Sequence, residues 1–305
     1  MMIRNFDELL SHAATLSRHR VVVVFPNNKE TFSAVAEARD KLNVEFDLVG
    51  DADVIAKGLR EVESNNDRLR VHDKKDIHGA LQHSIELLKD GNRRILMKGG
   101  IDTSSLMKAV LAEASGLRTG RLLSDIFIME YPQRQGNKFV MITDGGMTLS
   151  PDLANKIELV KNAVDVAHAL GNLQPKVAIL SATEFVLPNL QSTLDAAALS
   201  KMNDRGQIKG CIIDGPLALD NALSPEAAEE KGIVSPVAGH AEILVAANIE
   251  SANSLAKSTT YFASMRLAHV IVGAKIPILI PSRADKSDAK LLSVALGILM
   301  SCFAS

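Results

Sequence analysis

The chain has 305 residues, of which 47% are hydrophobic and 23% charged, and its formal net charge is −2. This length predicts two domains or one large α/β unit, and the composition is ordinary for a globular protein. The near-neutral charge, the lack of Trp and the two Tyr residues argue against nucleic acid as a partner, because nucleic-acid binding uses basic and aromatic surfaces.

Short apolar runs that predict strands alternate along the chain with runs that predict helices. The predicted strands cover 21–25, 44–50, 94–100, 124–132, 138–146, 177–182, 208–216, 241–249, 269–273 and 277–281. The predicted helices cover 31–42, 51–62, 103–116, 155–171, 195–204, about 251–267 and the C-terminal segment 282–305. Apolar strands separated by helices are typical of a mostly parallel sheet covered on both faces. We therefore expect an α/β protein with two lobes that divide near 144–151, where DGGMTLSP interrupts the pattern.

Other features predict a cytoplasmic protein with neither a membrane partner nor a metal site. The start, MMIRNFDELL, is amphipathic and carries acids early, unlike a signal peptide. No apolar run approaches the ~20 residues that span a bilayer. Cys211 and Cys302 lie in apolar stretches, and the eight His residues show no metal-binding spacing.

In α/β folds, anions bind where a strand ends and a helix begins, because free N–H groups and the helix dipole lie there. In LMKGGIDTSSLMK, residues 96–108, Gly99 and Gly100 allow a close backbone approach. Thr103 and Ser104 then open a helix, and Lys108 adds positive charge. The segment resembles a phosphate cradle without being a Walker A motif. A glycine turn with a Thr or Ser N-cap explains the same residues.

A second strand-to-helix loop, PSRADKSDAK, spans residues 281–290. Ser282 and Arg283 precede the helix, where an anion would meet both the helix dipole and a forked cation. Asp285 and Asp288 are spaced as an N-cap and its N3 partner, close to a capping box. Helix capping explains the two acids and leaves Arg283 without a structural reason.

Three loops of the second half carry polar residues. Asp214, Gly215 and Pro216 end the apolar run 208–216, where a turn is a sufficient explanation. Asn248, Glu250 and Asn253 surround the next predicted helix start. The segment TDGGMTLSPDL is interpreted as a turn followed by a helix cap.

Several reaction classes lack their motifs in this sequence. HExxH, GxSxG and GxGxxG are all absent, and Cys211 is better explained as a small core residue than as a nucleophile. Anion binding, oxyanion donors and a carboxylate base remain as the available chemistry. Transfer of an acyl group from an acyl phosphate to a thiol fits these groups.

The chain resembles the phosphate acetyltransferase/butyryltransferase family, and most of all its butyryltransferase branch. The similarity covers essentially the whole chain and is carried by LMKGGIDTSSLMKAVL, DGPLALDNALSPEAAEEKGIVSPVAG, NIESANSLAKSTTYFASMRLAHVIVGAKIP and PSRADKSDAK. The resemblance implies interconversion of an acyl-CoA and inorganic phosphate with CoA and an acyl phosphate. It also implies CoA as a substrate with no tightly bound cofactor, and a homodimer or larger homo-oligomer.

The family resemblance further implies a fold like that of isocitrate and isopropylmalate dehydrogenases, with the active site in the interlobe cleft. The N-terminal lobe would be 1–144, completed by the C-terminal helix 282–305, and the second lobe 145–281. Ser282 and Arg283 match the pair that the family places beside the reacting groups. Asp288 is the candidate base, with Asp285 as the alternative, and Lys108 replaces a phosphate-binding arginine. Asp214, Gly215, Pro216, Asn248, Glu250 and Asn253 would contact substrate or CoA.

One segment departs from the family pattern. Where relatives usually read Pro-Asp-Ile-Glu-Ala-Gly-Asn, this chain has Ala-Asn-Ile-Glu-Ser-Ala-Asn at 247–253. Phosphate acetyltransferase activity on acetyl-CoA is therefore one alternative, and a non-catalytic relative that binds CoA or an acyl phosphate is another. A metal- and nucleotide-dependent dehydrogenase of the same fold would need acidic metal ligands that the sequence does not group together.

Overall fold

Helices and strands alternate along the chain in the computed structural model, which describes residues 1–64, 67–89, 93–282 and 284–303. The strands are β1 (His19–Val24), β2 (Val44–Gly50), β3 (Leu69–Asp73), β4 (Arg94–Lys98), β5 (Ser124–Glu130), β6 (Phe139–Thr143), β7 (Lys176–Leu180), β8 (Ile212–Leu217), β9 (Ile243–Val245), β10 (Leu267–Val272) and β11 (Ile278–Leu279). The helices are α1 (Phe6–Thr15), α2 (Lys29–Lys41), α3 (Ala52–Glu61), α4 (Ile77–Lys89), α5 (Thr103–Leu111), α6 (Leu153–Ala169), α7 (Gln191–Asp204), α8 (Leu219–Leu223), α9 (Pro225–Glu230), α10 (Ile249–Tyr261) and α11 (Ser287–Phe303). Most strand pairs are parallel and helices pack on them, which confirms the α/β class.

One compact unit contains Phe6–Arg121 and Arg266–Ser305. Its strands follow the order β3-β2-β1-β4-β11-β10, in which β10 runs antiparallel to β11 and the other neighbours are parallel. Helix α11 packs on α1, α2 and β10, and its residues 290–301 are all buried. A helix that is apolar on all sides belongs in a core, so the last helix forms the centre of this unit.

The other compact unit contains Met1–Asn5 and Leu122–Met265. Its strands follow the order β5-β6-β9-β7-β8, with β5 and β6 antiparallel and the other neighbours parallel. Helix α6 packs on β5, β6 and β9, while α7 packs on β7 and β8. A buried ion pair joins these two helices, with Lys156 Nζ 2.6 Å from Asp195 Oδ2.

The limits of these units differ from the limits at 144 and 281 that the sequence predicts. Strand pairing gives the reason. β5 and β6 pair with each other and β6 pairs with β9, so both strands belong with the second half of the chain. β10 and β11 belong with the first half because β11 pairs with β4. The predicted helix at about 251–267 is also too long, since α10 ends at Tyr261 and β10 begins at Leu267.

Within the part of the chain that the structure describes, no helix is both long and apolar enough to cross a membrane.

Candidate functional site

Two of the predicted site loops follow neighbouring strands, β4 and β11, and leave the same edge of their sheet. Strands β4 and β11 are parallel neighbours, with Leu96 opposite Ile278 and Met97 opposite Leu279. The segment 99–105 follows β4, and the segment that begins at Pro281 follows β11. Carboxyl ends of parallel strands are where α/β proteins bind their ligands. The pairing of β4 with β11 therefore brings two loops that lie far apart in the sequence to one edge.

The glycines of the first loop serve a packing role against β1. The Gly99 N–H donates to the Val24 carbonyl at 2.9 Å, and the Gly100 N–H donates to the Phe25 carbonyl at 2.7 Å. A Cβ atom on Gly99 would lie 2.5 Å from the Val24 oxygen, and one on Gly100 would lie 2.1 Å from the Asn27 amide nitrogen. Only glycine fits so close to the Val24 carbonyl, whereas a side chain at position 100 would require the exposed Asn27 side chain to move. Because both N–H groups already bind protein carbonyls, the prediction that they donate to a phosphate receives no support.

The start of α5 carries an anion of its own. Asp102 is the N-cap, and its carboxylate accepts hydrogen bonds from the Ser105 N–H at 2.8 Å and the Ser105 hydroxyl at 2.7 Å. These bonds lower the pKa of Asp102, which is therefore ionised at neutral pH. The expected cap by Thr or Ser is wrong, since Thr103 and Ser104 are the first residues inside the helix. A phosphate bound at this helix start would meet the Asp102 carboxylate.

Positive charge near this loop comes from two lysines in different settings. Lys98 is buried, and its Nζ donates to the carbonyls of Ile101 at 3.2 Å and Gly99 at 3.4 Å, so it holds the loop from inside. Lys108 is exposed in the last turn of α5, and its charge contributes to the lowered pKa of Asp102. Of these two lysines, Lys108 is therefore the one that a ligand can reach.

The second loop is closed by a turn between Ser282 and Asp285. The Ser282 N–H donates to Asp285 Oδ2 at 2.7 Å, and the Asp285 N–H donates to the Ser282 carbonyl at 3.1 Å. Helix α11 begins only at Ser287. The interpretation of Asp285 as the N-cap and Asp288 as its N3 partner is therefore wrong. Arg283, predicted to bind an anion, lies outside the described residues.

Asp288 lies in the first turn of α11 and is paired with an arginine. Arg266 approaches it with Nε at 3.3 Å from Oδ2 and Nη2 at 3.3 Å from Oδ1. The same guanidinium also donates to Asp7 Oδ1 at 2.9 Å through Nη1. The Asp288 side chain is 51% exposed, so solvent and small molecules can reach it. A carboxylate held in this way has a fixed orientation at the end of the loop.

A buried lysine, which was not predicted from the sequence, anchors the turn. Lys290 is 1% exposed, and its Nζ donates to the Ser282 carbonyl at 3.3 Å and to the Asp285 carbonyl. Burial lowers the pKa of Lys290, against the attraction of Asp285 and Glu30. A lysine next to LLSVALGILM was the available signal, because a cation in the apolar stripe of a helix needs buried partners.

The second unit brings two polar groups together at the carboxyl end of β6. The Asn253 side chain donates to the Gly145 carbonyl at 2.9 Å. The neighbouring Asp144 is buried, and its carboxylate accepts the backbone N–H groups of Asp125, Gly146, Met147 and Thr148 at 2.8–3.1 Å. Burial, together with the Asp125 charge, raises the pKa of Asp144 in spite of these bonds. The interpretation of this loop as a turn, made from the sequence, missed the buried acid.

The remaining residues of the second unit have local roles in the structure. Asn248 is the N-cap of α10 and accepts the Ser251 N–H at 2.9 Å, and Glu250 is exposed in the first turn. Asp214, Gly215 and Pro216 lie inside β8, where the pairing with β7 is irregular, so the predicted turn is wrong. The Asp214 side chain accepts the N–H of Gly215 at 2.8 Å.

Comparison with known proteins gives the family. Residues 70–298 match the family described as "Phosphate acetyl/butaryl transferase". The chain is 39% identical over 299 residues to the phosphate butyryltransferase of Clostridium beijerinckii, covering 98% of each protein. It is 39% identical over 294 residues to the phosphate acetyltransferase of Rhizobium meliloti, covering 96% of this chain and 92% of that protein. A branched-chain phosphotransacylase from Enterococcus faecalis V583 superposes with a TM-score of 0.82 and 29% identity, covering 93% of this chain and 99% of that one. The chain belongs to the phosphate acetyl/butaryl transferase family.

Proposed function

We propose that the protein transfers a short acyl group, butyryl in the first instance, between CoA and inorganic phosphate. The observation that carries the proposal is the pairing of β4 with β11, because the segment 99–105 follows the first of these strands and the Ser282 turn follows the second. The family matched by residues 70–298 supports this class of reaction. The proposed partners are an acyl-CoA, inorganic phosphate and an acyl phosphate, with CoA as a substrate and no tightly bound cofactor.

The proposed reaction is a direct transfer with both substrates bound. In the direction of CoA acylation, Asp288 takes the proton of the CoA thiol, whose reference pKa of ~8.5 keeps it mostly protonated at neutral pH. The thiolate attacks the carbonyl of the acyl phosphate, the C–S bond forms, and the C–O bond to phosphate breaks. Phosphate leaves with the bonding electron pair. Lys108 with Thr103 and Ser104 is proposed to bind it, and the Lys108 charge also acts on the nearby Asp102 carboxylate and offsets its repulsion.

Ser282 and Arg283 are proposed to stabilise the negative charge that develops on the carbonyl oxygen, an effect of about 3–4 kcal/mol for one well-placed donor. The turn between Ser282 and Asp285 supports this role by fixing the position of the serine. Arg266 holds Asp288, and its separate bond to Asp7 would keep the guanidinium in place when Asp288 accepts a proton. Asp214, Gly215, Pro216, Asn248, Glu250 and Asn253 remain proposed contacts to substrate or CoA.

The departure at 247–253 gives little support to the non-catalytic alternative. Asn248 stands where relatives carry aspartate, and both residue types cap helices well. Here Asn248 caps α10, and Ala252, which replaces glycine, is fully buried in the same helix. The substitutions therefore fit the local structure. A residue change that the fold accommodates is weaker evidence for lost activity than one that disrupts a loop.

The testing experiment measures thiol release from butyryl-CoA by purified protein, with and without phosphate, using a chromogenic thiol reagent. Phosphate-dependent release is expected, with a higher kcat/KM for butyryl-CoA than for acetyl-CoA. The reverse preference would favour the phosphate acetyltransferase alternative, to which a relative of equal identity points. Binding of CoA without turnover would favour the non-catalytic alternative. Arg283→Ala is the matched control, because loss of turnover with an unchanged melting temperature assigns the release to this site.

We also propose a homodimer or larger assembly in the cytoplasm. Light scattering of the purified chain tests the assembly, and a mass equal to one chain would contradict it.

A further inference from the structure

A group of positive charges lies in the compact unit that contains Phe6–Arg121 and Arg266–Ser305. It is found at the amino-terminal end of β4 and β11, whereas the proposed reaction loops follow the carboxyl ends of these strands. A cavity of about 730 Å³ lies there, within the roughly 300–1,000 Å³ typical of small-molecule sites. Its described lining residues include five cationic side chains: Lys89, Arg93, Arg94, Arg121 and Lys275. Glu113 is the single acidic residue among the described lining residues. This concentration stands out in a chain whose net charge is −2.

The cations around this cavity differ in how far they are neutralised. Lys89, Arg93 and Lys275 are exposed, and none of them forms an ion pair with another residue that the structure describes. Arg94 is only 15% exposed, and its Nη1 lies 4.0 Å from the buried Asp47 carboxylate. Arg94 is thereby fixed as part of the wall. A concave surface lined by one sign of charge concentrates ligands of the opposite sign.

Backbone hydrogen bonds tie the walls of the cavity together. The Lys275 N–H donates to the Leu117 carbonyl at 2.9 Å, and Arg118 forms a bridge with Ala274. The Thr119 hydroxyl donates to the Gly273 carbonyl. The segment 116–121 and the turn between β10 and β11 therefore form one connected wall, and a ligand would meet a preformed surface, which reduces the entropy lost on binding.

The cavity is separated from the proposed reaction loops. Arg94 begins β4 and Lys98 ends it, so the two α-carbons are about 13 Å apart at ~3.3 Å per residue. Pro277 lines the cavity just before β11, whereas Ser282 follows that strand. A phosphate in the cavity therefore lies at the opposite edge of the sheet from the phosphate of the transfer reaction.

We infer that this cavity, which we name the basic cavity and define by Lys89, Arg93, Arg94, Arg121 and Lys275, binds a small molecule with several clustered phosphate charges. Arginine matches phosphate oxygens in pairs, and the mixture of two lysines with three arginines suits more than one phosphate group. The inference concerns a site beyond the proposed function, because none of these residues is assigned to acyl transfer. An inorganic polyphosphate and a nucleoside triphosphate share this chemistry.

Calorimetric titration of the full chain with inorganic tripolyphosphate and with ATP tests the inference. Both probes are expected to bind, and tighter binding of ATP would show that the cavity also holds a nucleoside. The charge-reversed Arg93→Glu/Lys275→Glu variant should bind at least about tenfold more weakly, which is about 1.4 kcal/mol. The control variant Lys41→Glu/Lys57→Glu makes the same charge change on α2 and α3, outside the cavity, and should bind as the wild type does.

Three outcomes would overturn the inference. The first is that neither probe binds. The second is that CoA displaces the probe competitively and Arg93→Glu/Lys275→Glu binds it unchanged, which would place the probe at the transfer site. The third is a change in the mass of the assembly in Arg93→Glu/Lys275→Glu, measured by analytical ultracentrifugation, which would make the basic cavity a contact between chains. The melting temperature of the variant should stay near that of the wild type, which separates lost binding from lost folding.

Discussion

Replacing Lys290 with methionine separates the contribution of this lysine to the reaction loop from its contribution to folding. In the native protein its Nζ donates to the carbonyls of Ser282 and Asp285, and the side chain is buried. Methionine is a flexible apolar side chain of similar length and can fill the same space without an N–H donor. We therefore expect the packing of α11 to survive and the turn that carries Ser282 to lose its anchor.

The expected change in the free energy of unfolding is small, because two large effects oppose each other. A hydrogen bond from a charged donor contributes about 1.5–3 kcal/mol, so the loss of both removes ~3–6 kcal/mol. Burial of an ammonium group carries a penalty of several kcal/mol, which methionine does not have. The net change should stay within about 2 kcal/mol. Turnover should fall at least about tenfold, because a small displacement of a reacting group has a large effect on rate.

The pH dependence of stability provides a second readout of the same lysine. Burial lowers the pKa of Lys290 in the folded protein. Between that lowered pKa and the ~10.4 of the unfolded chain, the unfolded state binds more protons, so the free energy of unfolding rises with pH. The wild type should therefore gain stability as the pH approaches ~10, and Lys290→Met should lack this gain.

The assay combines thermal unfolding over a series of pH values with phosphate-dependent thiol release. Lys286→Met is the matched control, since Lys286 is an exposed lysine on the same segment. Wild-type turnover in Lys290→Met would refute the reasoning, because the turn would then hold without its anchor. A loss of stability well above about 4 kcal/mol would show that the lysine acts mainly in folding.

The other predictions concern single side chains. Asp288→Asn should lower kcat by about 10²–10⁴-fold with little change in either KM, as expected for a lost base; an unchanged kcat would remove Asp288 from that role. Lys108→Ala should raise the KM for phosphate far more than the KM for acyl-CoA, and equal increases would point to damage to α5. Asn248→Ala should lower the free energy of unfolding by ~1 kcal/mol through loss of the N-cap, whereas Asn248→Asp should be nearly neutral; chemical denaturation checks both. Cys302, which is exposed, should react with a thiol reagent at pH 8, whereas buried Cys211, with its pKa raised to about 11, should react only after unfolding.

The sequence predicted most of the strands that form long apolar runs and missed the exposed strand β3. The predicted strand at 44–50 matches β2 residue for residue, because every residue of this run except Glu45 is buried. Strand β3 was not predicted, since its side chains are exposed or half-buried and give no apolar run. Helix α4, which follows β3, was also missed, although it buries Ala80, Leu81, Ile85 and Leu88. An edge strand of this kind forms because it pairs with a neighbouring strand. The pattern of apolar residues in one sequence gives no sign of that pairing.

For the candidate site, the sequence located the loops and misjudged the hydrogen bonds within them. The glycines at 99 and 100 were correctly seen as positions of close backbone approach, but the approach is to the last residue of β1 and to Phe25 and Asn27 after it. Asp102 was overlooked as a cap because Thr103 and Ser104 beside it suit the same role. Three-dimensional packing decides which groups donate hydrogen bonds to a given carbonyl or carboxylate. The buried bonds from Lys290 to the Ser282 and Asp285 carbonyls are an example.

The two acids of PSRADKSDAK have roles in the structure that differ from the helix-capping roles predicted from the sequence. As an N-cap, Asp285 would be replaceable by asparagine with little effect, and Asp288 would be a minor N3 acid. In the structure the Asp285 carboxylate accepts the Ser282 N–H and lies 3.8 Å from His269 Nε2, so it shapes the turn that carries the proposed oxyanion donor. Asp285→Ala should therefore lower turnover through a misplaced Ser282, and asparagine, which still accepts the N–H, should rescue part of it. Asp288 instead pairs with Arg266. If asparagine restores part of the lost turnover at position 285 but none of it at position 288, then Asp288 transfers the proton and Asp285 positions Ser282.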